Sequence, residues 1–520
     1  MSLRPVFLAT MLIGVCGVAA AQGPPLVRAA AAQDWQTVRA LVEDGADVNA
    51  ARADGATALL WAAHWDAVDM VDLLVTAGAD ADGTDDHGVT PLHRAAENGS
   101  LAMVAALLEV GAEPDLAQAS GLTPLMTAAR TGNVAIVEML VAAGADANAE
   151  TSATKSTALM WAVAEGHRDI VRVLLEAGAD PHVSTTNGFT PLLYAAENGD
   201  IETATALIAA GVDIDETGAD DTHALPYAII MGQDEFALFL LDHGADPNGW
   251  MGGVRALHTA VGSVNTWLED WARQHDRNAS YIGNSFGRQT LPASRRLALV
   301  QALVEHGADV NARTTTSGMF QSYIGYPKKG AFEPFSCGTG DVRGATPLWV
   351  AALAANRGNN DGIIEALLAA GADQHLTTDD GTTPFMMAAG LGRCTFRPRV
   401  PRGTRSPSAE EAVRVLLAAG AEINAVNEAD FMALHGAAMA GLNEVVEYLV
   451  AEGAEIDARD FRGRTPFRLA EGSKQSFQFQ AWPETAALLE ALGADTRLGI
   501  PGTVQERLRD VPIATAGAGR

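Results

Sequence analysis

Residues 85–117 read DDHGVTPLHRAAENGSLAMVAALLEVGAEPDLA. Asp86 and Gly88 supply turn chemistry. Thr90 is a natural N-cap, and Pro91 fits the first helical position, where no amide hydrogen is needed. Leu92, Ala95 and Ala96 give a narrow apolar face that lets neighbouring helices approach closely. Gly99 breaks this first helix. Met103, Val104, Leu107 and Leu108 then recur at helical spacing, and Gly111 ends the second helix. The stretch therefore predicts a turn, a capped helix, a short break and a second helix.

The same phrase recurs along the chain. Its closing glycines are Gly45, Gly78, Gly111, Gly144, Gly178, Gly211, Gly244, Gly307, Gly371, Gly420, Gly453 and Gly493. The first six intervals are 33, 33, 33, 34, 33 and 33 residues. A fixed period of this size marks stacked repeats, none of which can bury its apolar face alone. Good starts stand at Thr123-Pro124-Leu125, Thr190-Pro191-Leu192, Thr346-Pro347-Leu348, Thr383-Pro384-Phe385 and Thr465-Pro466-Phe467. The starts at Thr57 and Thr157 lose the proline, and Leu225-Pro226-Tyr227 departs further.

With its Thr-Pro-Leu-His-x-Ala-Ala opening and its Leu-Leu-x-x-Gly-Ala-Asp-type close, the unit resembles the ankyrin repeat over roughly residues 24–496. The resemblance implies an all-α solenoid of about twelve helix-turn-helix repeats with short β-turn or hairpin connections. It also implies that His93, His258 and His435 hydrogen-bond a neighbouring repeat. Its usual contact positions are the turn tips and first-helix ends. Here these include His64, Trp65, Glu97, Asn98, Arg130 and Phe189. Trp65 and Phe189 stand out, because neither position demands an aromatic for packing.

Residues 26–44 lack the Thr-Pro start and carry Arg28, Gln33, Asp34, Gln36 and Arg39, as a polar N-terminal cap would. Residues 22–249 read as regular repeats one to seven. Residues 250–496 read as repeats eight to twelve, and 497–520 as a tail. In the second stretch the intervals become 63, 64, 49, 33 and 40 residues. The excess falls near 264–294 in repeat eight, 314–340 before repeat nine, 391–408 in repeat ten and 472–480 in repeat twelve. These insertions collect aromatic and basic side chains: Trp267, Trp271, Phe320, Tyr323, Tyr326, Phe332, Lys328, Lys329, Arg397 and Arg399. Such residues dominate binding hot spots. They serve equally to fold loops back onto helix flanks, and both uses stay open.

Residues 1–21 have the build of a cleavable secretory signal: Arg4, an apolar Val6–Val18 and Ala19-Ala20-Ala21. An uncleaved anchor, or lipidation at Cys16, are the alternatives. Val15 is large for a lipidation site. Four lysines against thirty-one arginines, with abundant alanine, suggest a GC-rich bacterium, hence the periplasm or the medium. Cys337 and Cys394 are the mature cysteines, and an oxidising compartment permits a bridge between them. Their insertions leave opposite edges of the stack, which counts against it.

The net charge of −29 and pI near 4.7 argue against nucleic acid and for a partner with a basic surface. Much of the acid is periodic: Asp47, Asp80, Asp146, Asp180, Asp246, Asp309 and Asp373 are expected to bind loop amides. One carboxylate per repeat supplies too few ligands for calcium. No Walker loop, HExxH, GxSxG or CxxC occurs. His275, Asp276 and Asp270 form the nearest approach to a constellation, read as loop decoration. The expectation is a non-catalytic, monomeric protein-binding scaffold without cofactor or metal and without a membrane span after signal cleavage. The rivals are a small-molecule, metal or catalytic site built from the insertions of repeats eight to ten, and a self-associating envelope protein.

Overall fold

In a computed structural model, residues 23–499 are described apart from 219, 263, 265–266, 276–290, 317–341, 357–361, 393–404 and 476–477. The chain divides into two compact units, 1–212 and 213–520. The division falls one repeat before the change from regular to decorated spacing.

The first unit holds repeats one to six. Each contributes a pair of antiparallel helices, such as Pro91–Asn98 and Leu101–Glu109. The caps follow the local sequence. Thr57, Thr90, Thr123, Thr157 and Thr190 each accept a hydrogen bond from the amide three residues on. Gly99, Gly132, Gly166 and Gly199 close the first helices in the left-handed region. Leu92, Ala95 and Ala96 are buried against the neighbouring first helices, with Met103, Val104 and Leu107 beneath them. The capping repeat forms as expected, from helices Pro25–Ala31 and Trp35–Glu43.

Asparagine and aspartate side chains lace the turns. Each of the seven periodic aspartates accepts from the backbone amide two residues on. The asparagines beside them reach across repeats. Asn148 donates to the Gly178 carbonyl at 3.0 Å and accepts from the Asp180 amide at 2.7 Å. These bonds satisfy backbone groups that helices leave unpaired.

The second unit stacks repeats seven to twelve in the same manner. The divergent repeat seven still forms its first helix, Ala224–Met231, although His223 makes no side-chain cap. Two short antiparallel hairpins interrupt the helices: Trp250–Met251 with Val254–Arg255, and Ser473–Gln475 with Gln478–Gln480. The second replaces what the sequence reading treated as a plain loop. Its Phe479 stands between Gln478 and Gln480, an alternation that suits a strand. The insertions of repeats eight and ten also end inside longer second helices, Ala293–Glu305 and Pro407–Ala418.

Candidate protein-interaction surface

Corresponding positions on successive first helices carry the candidate surface of the first unit. Trp65 follows the helix Ala58–His64 and is 41% exposed. Its ring stacks on Trp61, one turn back, at 6.2 Å and 23°. His64 packs edge-on against Trp65 at 4.5 Å. Burial holds the His64 imidazole below its ordinary value, Arg94 lowers it further, and Glu97 opposes them. Glu97 is exposed and pairs with Arg94 at 2.8 Å. Asn98 is a clamp as much as a contact. Its amide donates to the carbonyls of Ala63 and His64 in the preceding repeat, at 3.1 and 2.9 Å. Arg130 is exposed and lies over Trp161 at 5.7 Å, and Arg52 lies over Trp61 at the same distance.

Trp61 and Trp161 were not among the residues singled out from sequence. The signal was available: Thr57-Ala58-Leu59-Leu60-Trp61 and Thr157-Ala158-Leu159-Met160-Trp161 are nearly the same phrase, the two threonine starts that lose the proline. Farther along, Gly132, His167, Arg168, Asp169, Asn198 and Asp200 line an open cleft of about 520 Å³. Arg168 bridges Asp200 and Glu202 there, at 2.8 Å to each.

Phe189 is a correction. It is only 1% exposed: its backbone is tied to Thr185 across the turn, and its ring meets Tyr194 at 5.2 Å. It belongs to the core. Trp267 and Trp271 are likewise buried, at 6% and 4%. The Trp271 indole donates to the Thr222 hydroxyl at 2.7 Å, and its ring packs on Tyr227 at 5.5 Å. These two therefore dock the insertion helix Glu269–Gln274 onto its own unit and are not available as exposed anchors. Phe320, Tyr323, Tyr326, Phe332, Arg397, Arg399, Cys337 and Cys394 lie outside the described residues.

Asp276 and the side chain of Asp270 lie outside the described residues; His275 faces Asp220 at 3.5 Å and stacks on Trp271. Burial pushes the Asp220 carboxyl up, but hydrogen bonds from His275 and Thr222 outweigh that and leave it below the usual range. Among the described residues, no group of three His, Cys, Asp or Glu is arranged to hold a metal ion. No helix among them is long and apolar enough to cross a membrane.

The three family histidines do bridge repeats. His93 Nδ1 accepts from the Thr90 amide, so its proton sits on Nε2, which donates to the Leu122 carbonyl at 2.9 Å. His258 and His435 do the same toward Ala345 and Ala458. Burial pushes both of these imidazoles down to about 4. Trp349 takes this position in repeat nine. Its indole donates to the Thr382 carbonyl at 3.2 Å, a substitution the sequence reading did not anticipate.

Comparison with known proteins agrees with this geometry. The family described as ankyrin repeats (3 copies) matches residues 26–118, 110–185 and 178–249. Ankyrin repeats (many copies) matches 416–470, and ankyrin repeat matches 343–379. Together they cover more than half of the chain, which belongs to the ankyrin-repeat family. A Caenorhabditis elegans transient receptor potential cation channel subfamily A member 1 homolog is 31% identical over 130 residues, 25% of this chain and 9% of that protein. Alpha-latroinsectotoxin-Lt1a of Latrodectus tredecimguttatus is 32% identical over 142 residues, 27% of this chain and 8% of the toxin. The chain thus matches under a tenth of either relative's length. The solved human ASB11 ankyrin repeat domain shares 29% identity, covering 39% of this chain and 90% of that one at a TM-score of 0.34.

Proposed function

We propose that this protein is an exported, non-catalytic scaffold that docks a protein partner reversibly on the first-helix face of its regular repeats. Ankyrin repeats are protein-interaction modules. The observation that carries the reading is Trp65, a large aromatic left exposed on a preordered stack, in a unit whose other described Phe, Tyr and Trp rings are half-buried or, at Phe189, buried. An exposed, rigid indole is the side chain most often found at the energetic centre of an interface. The burial of Trp267 and Trp271 supports packing as the role of the repeat-eight insertion and weakens the reading of that loop as a ligand pocket.

Export rests on residues 1–21 alone. Cleavage after Ala21 would leave Gln22 as the mature first residue, and N-terminal sequencing of the protein from envelope and medium fractions tests it. Crosslinking and affinity capture in the native envelope test the scaffold. One protein enriched with the full chain and lost on disrupting Trp65 supports docking at this face. A captured protein retained by the Trp65 variant but lost on deleting 314–340 moves the contact to the decorated half. Capture of the chain by itself favours self-association over the monomer.

A further inference from the structure

Three indoles lie on, or at the end of, first helices in the first unit: Trp61, Trp65 and Trp161. Two already carry a guanidinium from this chain, Arg52 over Trp61 and Arg130 over Trp161. Among the described residues no arginine or lysine lies over Trp65, the most exposed of the three. Its ring is nonetheless held in place, by Trp61 and by His64. Carboxylates stand close by. Asp66 is its exposed chain neighbour, and Glu97 also acts on His64, though it is paired with Arg94, whose effect on His64 is the larger. Residues 22–212 carry 26 Asp and Glu against 8 Lys and Arg, a net charge of −18.

We propose that Trp65 seats an arginine or lysine of a basic, extended segment of a protein partner. The cation lies over the open indole, as Arg52 lies over Trp61, and the exposed Asp66 offsets its charge, Glu97 being already paired with Arg94. A cation over an indole face gains from the ring quadrupole even at an exposed site. The surrounding excess of carboxylate steers a basic segment toward it and repels a phosphate backbone. An apolar anchor fits less well, since it would sit in the open among charged groups. The proposal rests on the protein-scaffold reading above and names its partner's chemistry.

The test titrates full-length protein with a fluorescent hexa-arginine peptide, by anisotropy at low and moderate salt. Trp65→Leu keeps apolar area but removes the aromatic face, and is expected to weaken binding about fivefold. Trp65→Phe is expected to stay within about twofold of the wild type, since it keeps a π-face. Leu101→Ala, another exposed apolar residue of this unit, should leave the affinity unchanged. Equal binding by wild type and Trp65→Leu overturns the proposal, because net charge alone would then account for the affinity. So does a hexaglutamine peptide that binds as well as hexa-arginine. The scaffold reading is judged separately. A native protein partner captured equally by wild type and Trp65→Leu leaves that reading in place and overturns this one.

Discussion

The two units bury tryptophan to different depths. In residues 1–212, Trp65 stands on the surface and Trp35, Trp61 and Trp161 are half-buried. In residues 213–520, Trp267, Trp271 and Trp349 are buried, while Trp250 and Trp482 are half-buried. The regular unit closes its core mainly with aliphatic residues, Leu92, Ala95, Ala96 and their equivalents, with Phe189 as its one fully buried Phe, Tyr or Trp ring among the described residues. In the decorated unit Trp271 pins added chain through its N–H at Thr222, and Trp349 ties one repeat to the next through the Thr382 carbonyl. Aromatic content alone therefore does not mark a binding surface. What surrounds the ring decides its role.

The insertions also show which bonds keep the register. His93 reaches the next turn 29 residues on, while His258 reaches its counterpart 87 residues on. The bond is the same although two insertions, 264–294 and 314–340, lie between, and the second leaves from a turn whose ends are tied. The Thr314 amide donates to Ala345, and the Gly344 amide donates to Thr314, at 3.0 and 2.9 Å. A loop closed at its base costs only slowly more entropy as it lengthens, so repeat nine tolerates its insertion.

The largest test of this contrast is Trp349→Ala. It removes a fully buried ring together with its bond to the Thr382 carbonyl, which keeps its donors from Thr378, so the second unit should lose about 3–5 kcal/mol. Peptide-resolved hydrogen exchange would report it, and the loss should spare residues 1–212. If both units loosen equally, their independence is wrong. Gly121→Ala probes the regular unit. Its φ of +81° disfavours a side chain, and a Cβ would sit 2.7 Å from the Ser152 amide nitrogen. Strain and overpacking together should cost about 2–5 kcal/mol. Gly144→Ala, at φ +93° with nothing within 4 Å, should cost only the strain of about 1–2 kcal/mol by urea denaturation.

Acid should separate the units further. His258 and His435 are held near 4 when folded, against an ordinary value near 6.5. The unfolded chain therefore binds protons first as pH falls, and stability drops between about pH 6.5 and 4. It is fully present above that window and flattens below it. Each histidine should cost roughly 2–3 kcal/mol across the window. His435→Gln should flatten the pH profile of the second unit's unfolding midpoint, and an unchanged slope would remove His435 from the account. Smaller again is Asn148→Ala, which deletes two inter-repeat bonds and should cost about 1–2 kcal/mol by thermal melting. Least of all, Trp65→Leu should move stability by no more than about 0.5 kcal/mol, since its ring partners among the described residues are the half-buried Trp61 and the exposed His64, not core side chains. A larger change would turn Trp65 from a contact residue into a packing one.

Much of the fold was legible because each repeat is local. Thr90, Pro91, Gly99 and Gly111 specify cap, start, break and close within a few residues of one another, and twelve glycines in register repeat the instruction. The aspartate ladder was readable for the same reason, since each carboxylate binds an amide two residues away. By its own order the sequence thus determined the class of fold, the number of repeats and the places where the period breaks. What it left undecided was exposure across repeats. Phe189 and Trp65 both occupied positions that asked for no aromatic, yet one is buried and the other lies in the open. Trp271 could not be assigned before its N–H was seen at Thr222, 49 residues away. Tertiary structure alone settled these, because burial depends on which neighbouring repeat lies across from a side chain, and no local pattern records that.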